Sequence, residues 1–461
     1  MEPKSKHRKL DKTSSKSEIE FLDLNDHCIV GIFDKLSPAD LCSMSFVCHR
    51  IQTLAFQYFL DESPKKVLTI IAGKVRSRKK DLVTFSDSCN RHEKYFRKCI
   101  PNVRLFWKMF GTDNLINVIK TECCQNLREL EITAKLPMDP KHGESIKDQL
   151  KELDSLTLRD IKTTTDIHNV FLKHCKNLKK LTIETDEDGN ADWLLEIYPN
   201  LHSLAVFVPD KEHYCRKFVR FANRFFKNHP NVNDVSCIGG QVLKAILRNV
   251  TNIQRLGVHI QSDDSFGQIL GDLKNYCQKC SIRCLEFHLN DLATEKNVKM
   301  LRDFNEIHEI HGLTAFLAEY RFKDIMPIIQ QLKHLQMLKL RVAETRDLNK
   351  IPELLIRNLT HLEVVELEDT SKSTNMMLKT FLMPFVNNAK AMKKLTINVG
   401  DTQKIIMHPN DLIEMNAARS RASGAHPMDI HIVKFSYGTF VEPKLNIPKK
   451  SMLRINFETI C

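Results

Sequence analysis

The chain is predicted to fold as an α/β repeat solenoid of parallel strands backed by helices, entered through a short helical module. Three observations predict this. One apolar phrase recurs along most of the 461 residues, helical stripes fill the gaps between its copies, and residues 21–60 break the pattern with three stripes of their own.

The first twenty residues (MEPKSKHRKLDKTSSKSEIE) are charged and lack the apolar core of a secretory signal, so residues 1–20 read as a disordered basic tail. Residues 21–60 read as helices. Ile29, Ile32, Phe33 and Leu36 form one stripe. Ser37-Pro38-Ala39-Asp40 stops that helix, with Pro38 suited to the first turn of the next and Ser37 as its N-cap. Leu41, Met44, Val47 and Cys48 make a second stripe, and Ile51, Leu54, Ala55 and Tyr58 a third. Three such helices are too few to bury a good core alone, so their leftover apolar surface should meet a partner.

Residues 61–100 read as a basic linker with a hairpin and cap. Apolar Val67 to Ala72 is flanked by Lys65, Lys66, Lys74, Arg76, Arg78, Lys79 and Lys80, a pattern of two short strands with a basic turn.

From 101 to 440 the recurring phrase is apolar, two residues, apolar, one residue, apolar. It reads Leu127/Leu130/Ile132, Leu153/Leu156/Leu158, Leu178/Leu181/Ile183, Leu201/Leu204/Val206, Val232/Val235/Cys237, Ile253/Leu256/Val258 and Ile282/Leu285/Phe287. It returns at Leu335/Leu338/Leu340, Leu362/Val365/Leu367, Met392/Leu395/Ile397 and Ile430/Val433/Phe435, with weaker copies at Val103/Phe106 and Ile310/Leu313. Starts at 127, 153, 178 and 201 are 26, 25 and 23 residues apart, whereas 392 to 430 is 38 and implies an insertion. Between copies, Ile167/Val170/Phe171/His174, Phe218/Phe221/Ala222/Phe225, Leu243/Ile246/Leu247/Val250 and Ile325/Ile328/Ile329/Leu332 keep helical spacing. Strand plus helix at this period stacks into a continuous core. Residues 441–461 read as a C-terminal cap or tail.

Side chains alternate along a strand, so the second and third apolar residues of each phrase enter the core and their neighbours face the concave surface. That surface is expected to carry Glu129, Glu131, Lys180, Thr182, Glu184, Ser203, Phe207, Asp234, Arg255 and His259 in its first half. Met337, Lys339, Arg341, Glu366, Glu368, Lys394 and Lys434 follow in the second. Mixed signs on a rigid sheet suit a protein target better than uniform capture of phosphate.

Composition sets the outer limits. A net charge of +12 spread over 461 residues is too dilute for nucleic acid to be expected as main partner. Fourteen cysteines in a chain without a signal read as reduced thiols of a soluble cytoplasmic or nuclear protein, and no apolar run is long enough to span a membrane. No glycine-rich phosphate loop and no HExxH helix occurs; His308-Glu309-Ile310-His311 has the wrong separation. Cys277, Cys280, Cys284 and His288 superficially offer zinc-type ligands. The repeat register instead puts Cys284, Glu286 and His288 on a strand and Cys277 and Cys280 at the end of the preceding helix, where packing is the expected role. Neither a metal nor a cofactor nor a catalytic residue is expected.

Two resemblances follow from these residues. The strand-and-helix array resembles the leucine-rich-repeat family, in the variant with helices on the convex side. The stretch from Leu24 through Leu36, with Asp40-Leu41, Met44 and Val47-Cys48-His49-Arg50, is similar to an F-box. It departs from that motif at Asn25 (usually Pro), His27 (usually Glu) and Ile51 (usually Trp). The resemblance implies a three-helix hook for the Skp-type adaptor of cullin–RING ubiquitin ligases, with Leu24, Ile29, Ile32, Phe33, Leu36, Leu41, Met44, Val47, Cys48 and Ile51 as adaptor-binding residues. Together the two imply a non-catalytic substrate receptor of an SCF-type ligase. Its target, unidentified, would meet Phe207, Arg255, His259, Met337, Lys339, Arg341, Glu366 and Glu368. The alternatives are a repeat scaffold whose degenerate F-box only caps the array, and a nuclear protein binding nucleic acid through its basic segments.

Overall fold

The computed structural model describes residues 21, 24–36, 38–62, 67–71, 74–75, 82–83, 101–107, 112–122, 127–134, 138–160, 167–184, 192–207, 212–260, 265–289, 294–343, 351–369, 376–399, 405–406, 409–435 and 451–460. The tail at 1–20, the basic run at 76–80 and most of 441–461 lie outside these.

Among the described residues three helices come first: α1 (Asp26–Phe33), α2 (Pro38–Met44) and α3 (His49–Glu62). Asn25 caps α1 by accepting from the Cys28 amide at 2.9 Å, so the residue that departs from the expected Pro supplies the first turn with an acceptor. Arg50, opening α3, donates to Asp26 Oδ1 at 2.6 Å and to the Leu24 carbonyl at 2.7 Å, tying the start of α1 to α3. Phe33 packs on Tyr58, whose hydroxyl donates to Asp34 at 3.0 Å; burial and that carboxylate push the phenol up to about 12.

The strands are β1 (Val67–Ile71), β2 (Lys74–Val75), β3 (Leu82–Val83), β4 (Asn102–Trp107), β5 (Glu129–Ala134), β6 (Ser155–Arg159), β7 (Lys180–Glu184), β8 (Ser203–Phe207), β9 (Asp234–Ile238) and β10 (Arg255–His259). They continue as β11 (Cys284–His288), β12 (Gly312–Ala318), β13 (Met337–Ala343), β14 (Val364–Asp369), β15 (Met376–Met377), β16 (Lys394–Val399), β17 (Ile405–Ile406), β18 (Met428–Phe435) and β19 (Leu453–Ile460). Among the described residues 17 of them form one sheet. From β4 to β14, then through β16, β18 and β19, each strand pairs in parallel with the next. β1 pairs in parallel with β4 and folds back on β2 as a hairpin. The sheet therefore runs past 101–440 on both sides, into β1 and β19.

A repeated turn locks the period. Both amides at a strand start donate to one carbonyl of the previous repeat: Asp154 and Ser155 to Arg128, Lys179 and Lys180 to Asp154, Lys393 and Lys394 to Glu363. These bonds satisfy turn amides that would otherwise be lost to the core. Between 178 and 201 a 3-10 turn (Asp192–Leu195) takes the place of the helix, with Trp193 filling the core. The expected helix at 167–174 likewise becomes a short helix, Ile167–Val170, followed by a 3-10 turn, Leu172–His174. The long spacing after 392 holds β17, which pairs with β15 in a separate two-stranded sheet, and the helix Pro409–Arg421.

Burial alternates as strand period two requires: in β7, Leu181 and Ile183 are buried while Lys180, Thr182 and Glu184 are not. Neighbouring helices pack on one another and cover the apolar face, which leaves the other face of the sheet open. Two copies of the phrase are read out of register by the sequence. Val103 and Leu105 pair with Leu130 and Ile132, so Phe106 pairs with Thr133 and is not the second residue of the phrase. Ile430 and Ile432 pair with Leu395 and Ile397, so the phrase there is not Ile430/Val433/Phe435. Lys434 consequently pairs with Val399, a buried position of β16. Apolar residues at 428, 430, 432, 433 and 435 fit either frame locally; the neighbouring strand selects one.

Candidate functional site: the helical hook and the open sheet face

The hook sorts its apolar residues into two sets. Ile29, Phe33, Leu41 and Ile51 are at most 3% exposed and form the hook's interior, so their part in any docking is to hold its shape. Leu24, Ile32, Leu36, Met44 and Cys48 are partly covered. Val47 is 55% exposed. Beside it, in the turn joining α2 to α3, Phe46 is 52% exposed, and stripe reading missed it because it falls off the helical spacing. Phe46 and Val47 thus put two adjacent, more than half-exposed apolar side chains on the surface of the hook.

The open face is a mosaic of charge pairs set by strand register. At its start Glu131 accepts from Arg104 at 2.9 Å and from Arg159 at 3.1 Å, and Arg159 reaches Glu184 at 2.5 Å. A polar hollow of about 120 Å³ lies beside them over Asn102, Glu129 and Ser155. In the middle, Arg255 pairs with Glu286 at 2.8 Å, and Cys284 donates to the same carboxylate at 3.3 Å. Glu286 lies across a lane kept clear by Gly312, where a Cβ would come within 2.6 Å of its side chain. Towards the far end, Lys339 pairs with Glu366 at 2.8 Å and Arg341 with Glu368 at 3.0 Å, because those residues sit opposite each other in β13 and β14. Arg341 also lies over the Phe316 ring at 5.5 Å.

All eight residues expected to contact a target stand on this face, though as separate patches. Phe207, His259 and His288 form an aromatic row, with His259 and His288 stacked 3.9 Å apart at an interplanar angle of 9° and Phe207 edge-on to His259 at 4.5 Å. Met337 opens β13 opposite Gly312 and Val364 and is half-buried. Cys284 and His288 are thus engaged with Glu286 and His259. Among the described residues no group of three or more His, Cys, Asp or Glu side chains is placed to hold a metal ion.

Burial, with His288 adding to it, pulls His259 down to about 3, and burial also lowers His288. In the core, His229 is lowered for the same reason. Its Nε2 accepts from the Tyr198 amide at 2.8 Å, which leaves the proton on Nδ1, donated to the Phe225 carbonyl at 2.6 Å. Depressed folded values mean that the unfolded chain binds more protons as pH falls below the ordinary imidazole value of about 6.5. Stability is therefore present above that pH and is lost on acidification towards the folded values. The thermal midpoint is expected to drop between about pH 7.5 and 5.5, and His259→Phe with His288→Phe, which keep the stacked rings, should flatten that slope. A midpoint independent of pH over this interval would contradict the assignment.

Residues 21–56 match the F-box domain. No curated protein matches the chain. No helix among the described residues is long and apolar enough to cross a membrane.

Proposed function

We propose that the chain is the substrate-recognition subunit of an SCF-type ubiquitin ligase. The F-box at 21–56 carries the first half of this reading, since F-box domains bind Skp-type adaptors and are generally non-catalytic. Through the adaptor the chain meets the cullin and RING subunits, which supply the chemistry. The second half is that the parallel array is a leucine-rich-repeat solenoid that holds a target protein on its open face. What supports it is the strand-by-strand period, the single helix layer and the varied, fixed side chains from Phe207 to Glu368. The contribution to rate is proximity, which raises the effective concentration of target lysines at the loaded enzyme.

Purification of the full chain from cells, probed for adaptor and cullin, tests the reading; absence of the adaptor would overturn it. Target recognition has its own test. Because Lys339 and Arg341 already face Glu366 and Glu368, reversing them to Glu would set like charges side by side. Lys339→Gln with Arg341→Gln is the cleaner pair. Half-exposed ion pairs contribute about 1 kcal/mol or less each, so the midpoint should hardly move while capture of the target weakens. Target capture that responds only to changes on the helix layer would exclude the open face.

A further inference from the structure

The helix layer over β9, β10 and β11 differs in charge from the layers on either side. Arg220, Arg224 and Lys227 follow one stripe of the helix Glu212–Asn228. Lys244 and Arg248 repeat it on Gln241–Asn249, and Lys274 continues it on Phe266–Cys277. These three helices are consecutive and pack side by side. Five of the six cations are exposed and Lys244 is half-buried; Asp272 is the single acidic residue among the described positions of these helices with a placed side chain. None of the six makes an ion pair among the described residues.

The flanking layers behave otherwise. Upstream, Glu144 takes Lys173 at 2.9 Å and Lys147 at 3.9 Å. Downstream, Glu295 pairs with Lys299, and Arg302 with Asp303 at 2.6 Å. Favourable placement of cations at helix C-termini accounts for Lys227, Arg248 and Lys274, which stand in last turns, but not for Arg220, Arg224 and Lys244. Four residues along a helix span about 6 Å and neighbouring helices lie about 8–10 Å apart, so the cations form a grid of roughly that mesh.

A protein-binding patch would carry aromatic or other large apolar anchors and little lysine. Among the described side chains of these helices the large apolar one on show is Val219, 38% exposed, while Phe221 lies beneath the Arg220 guanidinium at 5.6 Å. Cations without an apolar centre are what a phosphate backbone requires. We propose that this layer is a nucleic-acid-contacting surface that grips the phosphates of a duplex without reading its sequence. It is separate from the hook and from the open face, and it revises the expectation from dilute net charge: the charge is gathered by folding.

The test is fluorescence anisotropy of the full chain with a random-sequence DNA duplex. Six phosphate contacts predict that affinity falls by about 10³-fold between about 50 and 200 mM salt. Arg224→Glu with Arg248→Glu should weaken binding by at least about 10-fold at low salt and flatten the logarithmic salt slope by about two. Lys296→Glu, on the next helix, should leave both unchanged. Circular dichroism checks the fold, and if the reversed pair unfolds, Arg224→Gln with Arg248→Gln carries the same expectation with a smaller loss. Duplex binding insensitive to these changes would place it elsewhere, on the basic segments 4–9 or 76–80, and overturn the proposal. So would capture of polyglutamate in preference to the duplex, which would make the partner an acidic protein.

Discussion

Replacing Arg419 by methionine is expected to cost about 3–5 kcal/mol, more than any surface change in the molecule. Arg419 is 0% exposed, and among the described residues its guanidinium is held by backbone carbonyls and meets no carboxylate. Nη1 donates to Ala389 at 2.8 Å and more weakly to Phe385 and Val386. Nη2 donates to His426 at 2.9 Å, Met392 at 3.0 Å and Lys390 at 3.3 Å, while Nε donates to His426 at 3.0 Å. Most of these acceptors end the helix Leu378–Asn388 or the turn after it, where carbonyls have no partner within the helix. A cation there also opposes the negative end of the helix dipole. One side chain from the helix Pro409–Arg421 thus closes the end of its neighbour and joins the last two repeats. Methionine fills similar volume but leaves those carbonyls buried and unpaired. Lysine, with three donors on a point charge in place of five in a planar fork, should recover only part of the loss. Repeats contact only their neighbours, so amide exchange should quicken over 378–399 and 409–435 while β5 to β8 keep their protection. A loss below about 1 kcal/mol would show that water satisfies the carbonyls as well as the arginine does.

The second large effect is at the hook. Phe46→Asp with Val47→Asp is expected to abolish adaptor binding and leave the chain folded. Each apolar side chain buried on docking contributes about 1.5–3 kcal/mol, so losing two should weaken association by about 10²–10⁴-fold. Both side chains are more than half exposed, so their removal costs the hook little of its interior. Leu36, partly covered, is a poorer probe, and Ile51→Asp should unfold the hook outright because Ile51 is 0% exposed. Adaptor titration by calorimetry with circular dichroism on each variant separates the cases. Unchanged binding by the Phe46/Val47 variant would move the docking surface elsewhere or leave the hook as a cap on the array.

How much of this was legible beforehand follows from the range of each physical effect. The alternation that sends Leu181 and Ile183 inward and Lys180, Thr182 and Glu184 outward belongs to the strand itself, so one copy of the phrase suffices to read it. Repetition of that phrase, with helical stripes between, determined the strand-and-helix order, and the three stripes of 21–60 determined the hook. Where apolar residues crowd, as from Met428 to Phe435, local pattern allows two frames, and only pairing with β16 chooses between them. Nor can spacing separate Ile51 from Val47: both lie on apolar stripes, yet one is enclosed and the other is bare. The charge pairs of the open face join residues about 25–30 apart through strand register. Arg419 is an ordinary surface residue in its own helix until the neighbouring helix presents its carbonyls, and the cations at 220–274 are diluted along the chain until three helices align. The sequence by itself determined what the backbone period controls; the tertiary structure alone decided which side chains are covered and which charges meet, because burial and Coulomb interaction depend on neighbours in space.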